Sequence, residues 1–147
     1  TDRIRTMEQD LREGFNDATS ELIEVLDYDR IDRIWLDGDF DLVVAREVDG
    51  VVRQDDVSNL SESEREMVGL MLALAGYVAY DVSDIAPVLL LDTLGAFDTD
   101  RTAKLISYIA DETPYLVAAL LPDSAVPFES SGVTGDVVTP TRTTTLH

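Results

Sequence analysis

Two short apolar segments near the C-terminal end place the strongest limit on what this chain can fold into. Residues 87–92 are Pro-Val-Leu-Leu-Leu-Asp, and residues 115–121 are Tyr-Leu-Val-Ala-Ala-Leu-Leu. Continuous apolar runs of this length are typical of parallel strands that are covered on both faces. Residues 99–110, between them, have helical periodicity. The order strand, helix, strand predicts a βαβ unit with a right-handed crossover, and therefore an α/β fold. The expected buried residues of the helix are Ala103, Ile106, Tyr108 and Ile109.

Two longer helices are predicted upstream of this unit. Residues 1–27 carry apolar side chains mostly three and four positions apart, which is the period of an amphipathic helix. A second helix is expected over residues 64–80, and it is apolar nearly all round, so most of its sides should be buried. Ser61 precedes Glu64 by three residues, the spacing of a capping box at a helix N-terminus.

Residues 30–57 have the pattern of β structure instead. The dipeptides Gly-Asp at 38–39 and Asp-Gly at 49–50 are turn signals between apolar segments. They predict a small antiparallel meander, with a second strand that includes Phe40 and a third that runs over residues 51–57.

The composition is strongly acidic. Thirty Asp and Glu residues face eleven Lys and Arg residues, which gives a formal net charge of −19, and Lys104 is the single lysine. Such a charge repels DNA and anionic membranes. Aspartate-rich, lysine-poor chains resemble proteins of salt-loving organisms, where molar salt shortens the Debye length to roughly 3 Å. We therefore interpret the charge as an adaptation to salt, which says little about partners.

The ends and the length of the chain suggest part of a larger protein. With 147 residues the chain can form one domain, and it has no initiator methionine, which suggests a fragment. It contains no cysteine, so no disulfide can form and redox chemistry does not identify the compartment. It has no apolar run of 18 residues, and its N-terminus lacks the apolar region of a secretory signal. We expect no membrane partner and a cytoplasmic location. Residues 127–147 lack packing periodicity and are predicted to be a disordered tail.

Three short motifs follow one another in a fixed order. Residues 60–65, Leu-Ser-Glu-Ser-Glu-Arg, open the second helix, the apolar strand then ends in Asp92, and residues 94–98, Leu-Gly-Ala-Phe-Asp, follow directly. Each motif alone is common, because Ser-x-x-Glu caps many helices and many strands end in an acid. Their order is what distinguishes the chain.

That order resembles the signature loop, Walker B strand and D-loop of the ABC-type ATPases. Within them it is most similar to the SMC-like and double-strand-break-repair ATPases, whose signature often ends in Glu-Arg, and above all to the SMC-related proteins of halophilic archaea. The resemblance covers residues 58–123. It implies that residues 28–126 are the C-terminal half of a P-loop-type ATPase head, and that residues 1–27 are the end of its coiled-coil arm.

The resemblance also implies ATP and Mg²⁺ as ligands. Its signature loop would consist of Leu60, Ser61, Ser63 and Glu64, with Ser61 reaching the γ-phosphate held by another subunit. A helix N-terminus suits this contact, because its N–H groups and dipole attract anions.

The two aspartates of the later motifs have separate expected roles. Asp92 would orient Mg²⁺ through water, as a Walker B aspartate does. Asp98 would be the D-loop aspartate, which couples the two composite sites across the dimer.

Four departures from the family pattern imply slow hydrolysis, or dimerisation gated by nucleotide with little turnover. Glu62 and Ser63 stand where the signature has glycines, and Thr93 stands in place of the catalytic glutamate. Threonine can hydrogen-bond a water but cannot act as a base near neutral pH. The D-loop is one residue shorter than usual, and Pro122 stands near the place of the switch histidine.

The sequence contains no Gly-x-x-x-x-Gly-Lys-Ser/Thr P-loop. The expected partners are therefore an N-terminal Walker A half of the same protein and a second copy in a head-to-head homodimer, with DNA engaged only through the full assembly. The expected function is that of an ATP-binding SMC-like protein of chromosome maintenance or DNA repair. Two alternatives stay open: a non-hydrolysing dimerisation module on the same half-fold, and a stand-alone acidic α/β domain whose motifs are coincidental.

Overall fold

The structure, a computed structural model, describes residues 1–92, 97–120, 135, 136 and 138. Thr93, Pro122 and nearly all of residues 127–147 lie outside the described residues, and so do the predictions made for them. The mixed α/β architecture is as predicted. Its helices are α1 (Asp2–Leu26), α2 (Glu62–Ala79) and α3 (Thr99–Glu112), and its strands are β1 (Arg33–Leu36), β2 (Leu42–Val48), β3 (Val51–Asp55), β4 (Val88–Leu91) and β5 (Tyr115–Ala118). Short 3-10 helices lie at Val57–Asn59 and Val82–Asp84.

The three strands β1, β2 and β3 form the predicted antiparallel meander, in that order. Phe40 is not part of β2 but lies in the preceding turn with a φ of 64°. The carboxylate of Asp37 accepts the N–H groups of Asp39 and Asp41 at 2.9 and 3.0 Å, so the turn is closed by side-chain bonds and the strand begins only at Leu42. The third strand is likewise shorter than predicted and ends at Asp55.

The second sheet is the parallel pair β4 and β5, in the register Val88 to Tyr115 and Leu91 to Ala118. Its inner face packs on the core, where Leu91 is 5% exposed. Its other face is exposed in the described structure, so the prediction of strands covered on both faces was wrong for this chain. Periodicity identifies a strand that can be buried, but it does not say which element covers it. The exposed side chains are Val88, Leu90, Tyr115 and Val117.

Helix α1 is buried only in its C-terminal half. Phe15, Leu22 and Leu26 lie in the core, whereas Ile4 and Met7 are 60% and 61% exposed. The sequence predicts one continuous apolar stripe along α1. In the structure the C-terminal part of this stripe is buried in the core, and the N-terminal part is exposed to solvent.

Side chains of α1 fix it to the edge strand of the meander. The side-chain amide of Asn16 makes two hydrogen bonds to the backbone of Leu36. Oδ1 accepts the N–H of Leu36 at 2.7 Å, and Nδ2 donates to the carbonyl oxygen of Leu36 at 3.0 Å. The buried Thr19 hydroxyl lies 3.0 Å from the carbonyl oxygen of Ile34. These bonds pair backbone groups of the edge strand with side chains of the helix.

The core between α1, α2 and α3 differs from the predicted one in a few residues. In α3, Leu105 is fully buried although it was not among the expected core residues, while Ala103 and Tyr108 are only half-buried. None of the described helices is long and apolar enough to cross a membrane.

Candidate functional site

Ser61 and Glu64 form a reciprocal capping box at the start of α2. The Ser61 hydroxyl accepts the N–H of Glu64 at 3.3 Å, and the carboxylate of Glu64 accepts the N–H of Ser61 at 2.8 Å. The predicted capping box is confirmed. Because the Ser61 oxygen accepts this bond, its own proton can be donated to another group.

The rest of the predicted signature loop is divided between core and surface. Leu60 is 3% exposed and anchors the loop in the core. Ser61, Glu62 and Ser63 are exposed, and the two serine hydroxyls lie 3.4 Å apart. As at any helix start, the first N–H groups have no intrahelical acceptor. The loop therefore offers two hydroxyls and helix N–H groups on one exposed helix end.

A second set of contacts, made by the meander, fixes the carboxylate of Glu64. The carboxylate is nearly buried, at 6% exposure, and Nη1 of Arg46 lies 3.4 Å from both of its oxygens. Arg46 in turn pairs with Asp55 on the neighbouring strand, where Nε donates to Oδ2 at 2.7 Å. The meander thus fixes the helix start through Asp55, Arg46 and Glu64.

The pKa values of this cluster follow from the same bonds. The N–H of Ser61 is the main cause that lowers the pKa of the Glu64 carboxyl, with Arg46 adding to it against the opposing effect of burial. The hydrogen bond to Asp55 raises the pKa of Arg46. Both groups are therefore held in their charged forms.

Sequence reasoning identified Ser61 and Glu64 but missed Arg46. It lies 18 positions before Glu64, on a strand rather than on the same helix, so no local spacing reveals the pair. The available signal was weak: Arg46 is a lone cation in a strand whose preceding residues are apolar.

Asp92 directly follows β4 and is exposed. Its position at the carboxyl end of a parallel strand is where ligands meet α/β sheets. No group of three or more acidic or histidine side chains that could hold a metal occurs among the described residues. Mg²⁺ requires less, because one or two carboxylates suffice when phosphates and water supply the other ligands. A single exposed carboxylate at this place fits that donor set.

Asp98 is the N-cap of α3. Its carboxylate accepts the N–H of Arg101 at 2.9 Å and lies 2.5 Å from Nη1 of the same residue. The bond to the backbone N–H of Arg101 is the main cause that lowers the pKa of Asp98.

The predicted site residues lie at three separate element ends. Ser61 begins α2, Asp92 follows β4 and Asp98 begins α3. In the part of the chain that the structure describes, no hydrogen bond or ion pair joins Ser61 to Asp98. Thr93, between the second and third of these ends, lies outside the described residues.

Comparison with known proteins identifies relatives of this chain in halophilic archaea. The Smc-like protein Sph2 of Halobacterium salinarum is 43% identical over 143 residues, which span 84% of this chain and 21% of that protein. The chain is a homologue of the haloarchaeal Smc-like proteins. The Smc-like protein Sph3 of Haloferax volcanii is 37% identical over 145 residues, covering 88% of this chain and 22% of its own length.

The fold is similar to that of one solved chain. A solved chain from work on ATP-driven dimerization and DNA-stimulated activation of SMC ATPases superposes with a TM-score of 0.60 at 19% identity, covering 83% of this chain and 76% of that one. No protein-family model matches the chain. The chain spans about a fifth of the length of the curated Smc-like relatives it matches.

Proposed function

We propose that this chain is the C-terminal half of an SMC-like ATPase head, and that with a Walker A half it binds ATP and Mg²⁺ and dimerises head to head. The observation that carries the proposal is the start of α2. There the hydroxyls of Ser61 and Ser63 lie exposed beside helix N–H groups, while the capping box and Arg46 hold the backbone in place. A preorganised helix end with hydroxyl donors suits a phosphate group.

The donor geometry at Ser61 supports a γ-phosphate contact made across the dimer. Its oxygen is occupied by the N–H of Glu64, which leaves its proton for an anionic acceptor. Glu62 brings a negative charge to the same helix end but is exposed, so its side chain can turn toward solvent.

The need for a second half is supported by the parallel sheet. Parallel strands occur almost only in sheets with both faces covered. On one face of this sheet, however, Leu90 is 70% exposed and Val117 is 57% exposed. The chain has no P-loop of its own and covers a fifth of its relatives. A Walker A half packed on this face would supply both the missing cover and the phosphate cradle.

Asp92 would hold Mg²⁺, which would neutralise phosphate charge and orient the triphosphate when bound. Thr93 follows it where the family places a glutamate, so hydrolysis is slow because no carboxylate polarises the attacking water. The exposed half of α1, with Ile4 and Met7, would continue as the coiled-coil arm. DNA would meet the whole assembly, since the formal net charge of −19 on this chain repels it.

Equilibrium binding of ATP with Mg²⁺ tests the proposal. In molar KCl, titration calorimetry on the chain joined to its Walker A half should give saturable binding that Asp92→Asn weakens. The chain alone should bind far more weakly. Binding that is equal with and without the Walker A half would contradict the half-head reading.

A non-hydrolysing dimerisation module is the second candidate, and Thr93 is the observation that favours it. The variant Thr93→Glu separates the two. A slow but genuine ATPase should gain ATP turnover when the chain is joined to its Walker A half, here called the reunited head. A dimerisation module should gain none. Thr93→Gln is the matched control, because it has the length of glutamate without its basicity.

A further inference from the structure

The guanidinium of Arg101 contacts two helix ends at once. Its Nε donates to the carbonyl oxygen of Leu26 at 3.1 Å, and its Nη2 donates to that of Asp27 at 2.9 Å. Its third nitrogen, Nη1, lies 2.5 Å from the carboxylate of Asp98. One side chain of α3 thus joins the end of α1 to the start of α3.

The end of α1 presents acceptors for such a donor. The last carbonyls of a helix lack intrahelical partners and carry the negative end of its dipole. Helix α1 has no basic residue in its last turn, and Asp27 ends it in the left-handed conformation with a φ of 47°. Arg101, 75 positions after Leu26, supplies the missing cation. It also lies over the ring of Tyr28, at 5.7 Å from the centroid, and 3.8 Å from the Asp29 carboxylate.

The two oxygens of Asp98 have separate tasks. Oδ1 caps α3 by accepting the backbone N–H of Arg101, and Oδ2 holds the guanidinium. Cap and ion pair can therefore be separated by substitution, because serine is a good N-cap but carries no charge.

We propose that Arg101 is a positioning residue that ties Asp98 to the C-terminal end of α1, so that the start of α3 and the end of α1 respond to each other. The contacts favour arginine, since the three nitrogens of one planar guanidinium serve three partners and the point charge of lysine cannot reproduce this fork. The bonds that form the link involve only residues of this chain. Its response to nucleotide rests on the proposed function, with Asp98 as the D-loop aspartate that the family resemblance implies.

Amide hydrogen exchange in molar KCl tests the link directly. In the nucleotide-free chain, Arg101→Met should speed exchange in the last turn of α1, residues 23–27, by about tenfold, the loss expected for one or two hydrogen bonds. Arg101→Lys should behave nearly like Arg101→Met. Exchange in the middle of α2 is the reference and should not change, whereas a general loss of stability would speed it equally.

The variant Asp98→Ser tests whether the effect passes through Arg101. It keeps the cap of α3, so exchange in the first turn of α3 should change little while the end of α1 exchanges faster. In an Arg101→Met background Asp98→Ser should add nothing at α1. Tyr108→Phe is the matched control, because the Tyr108 hydroxyl also joins α3 to α1 by a 2.9 Å bond to Glu21 but does not contact Asp98. Unchanged exchange at residues 23–27 in Arg101→Met would overturn the proposal. So would a double variant in which the effects of Arg101→Met and Asp98→Ser on exchange at these residues add in full.

A second arm uses the reunited head with ATP and Mg²⁺. Nucleotide should change exchange at residues 23–27 in the wild type but not in Arg101→Met. An equal change in both proteins would contradict the coupling. If the wild type forms no ATP-dependent dimer, the proposed function fails, and the nucleotide-free measurements still decide the link.

Discussion

The backbone N–H of Ser61 lies 2.8 Å from Oε2 of Glu64, while the hydroxyl of Ser61 accepts the backbone N–H of Glu64 at 3.3 Å. This reciprocal pair begins α2, which is the longest of the described helices after α1, and places Ser61 at its exposed end. The same two residues therefore carry both the stability of the helix start and the proposed phosphate contact. The two contributions can be separated by substitution.

Replacing Ser61 with alanine removes the cap and the donor together. Ser61→Ala should lower the free energy of unfolding by about 1 kcal/mol, as loss of an N-cap usually does. Ser61→Thr keeps a hydroxyl and should retain most of that stability. Chemical denaturation in molar KCl measures both. Equal stability of the alanine variant and the wild type would show that the box does not hold the helix start.

The ion pair behind the box gives a second prediction. Arg46→Met leaves the nearly buried Glu64 carboxylate without its cation, which should cost roughly 1 to 3 kcal/mol of unfolding free energy. Arg53→Met is the matched control, because Arg53 is the register partner of Arg46 on β3 and is exposed. It should change stability by less than about 0.5 kcal/mol. Similar losses in both variants would contradict a specific role for Arg46.

The lowered pKa of Glu64 predicts a pH dependence. Because the folded chain binds this proton less tightly than the unfolded chain, the stability that Glu64 contributes is complete above its ordinary pKa of 4.5 and is lost as the pH falls below it. Glu64→Gln keeps a capping-box side chain but does not titrate. The difference in unfolding free energy between wild type and Glu64→Gln should therefore shrink as the pH falls from about 6 toward 3. A difference that stays constant over this range would refute the assignment.

The exposed face of the parallel sheet gives a test of the proposed contact with the Walker A half. Leu90 is 70% exposed, so Leu90→Asp should leave the stability of this chain within about 0.5 kcal/mol of the wild type. It should nevertheless abolish association with the Walker A half, because it places a charge in the proposed contact. Val52→Asp changes an apolar residue, 56% exposed, on the other sheet and should not affect association. Sedimentation of mixed halves measures both variants.

Local patterns in the sequence predicted most of the elements and the helix cap. The Ser61–Glu64 box depends on residues three apart, and the meander depends on its turns, so both are visible in the sequence. Contacts between distant residues were not predicted: Arg46 meets Glu64 18 positions later, and Arg101 meets Leu26 75 positions earlier. Periodicity marked residues 87–92 as a strand fit for burial but could not tell that Leu90 would be left exposed.

The site was predictable to a similar extent. Spacing and periodicity in the sequence placed Ser61 and Asp98 at helix starts and Asp92 after a strand, and the structure has them there. They gave no indication that Arg101, which pairs with Asp98 three positions earlier, also donates to the carbonyl oxygens of Leu26 and Asp27, because those contacts depend on where α1 ends. The roles of Ser61, Asp92 and Asp98 toward nucleotide stay predictions.

The molecular mass of the reunited head, with and without ATP, tests the central claim most directly. Sedimentation equilibrium in molar KCl with Mg²⁺ should show a monomer without nucleotide and a dimer with ATP, and Ser61→Ala should remain monomeric under both conditions. Ser61→Thr should still dimerise, which separates the hydroxyl from the stability of the fold. A wild-type head that stays monomeric at saturating ATP, or an alanine variant that dimerises as well as the wild type, would contradict the account.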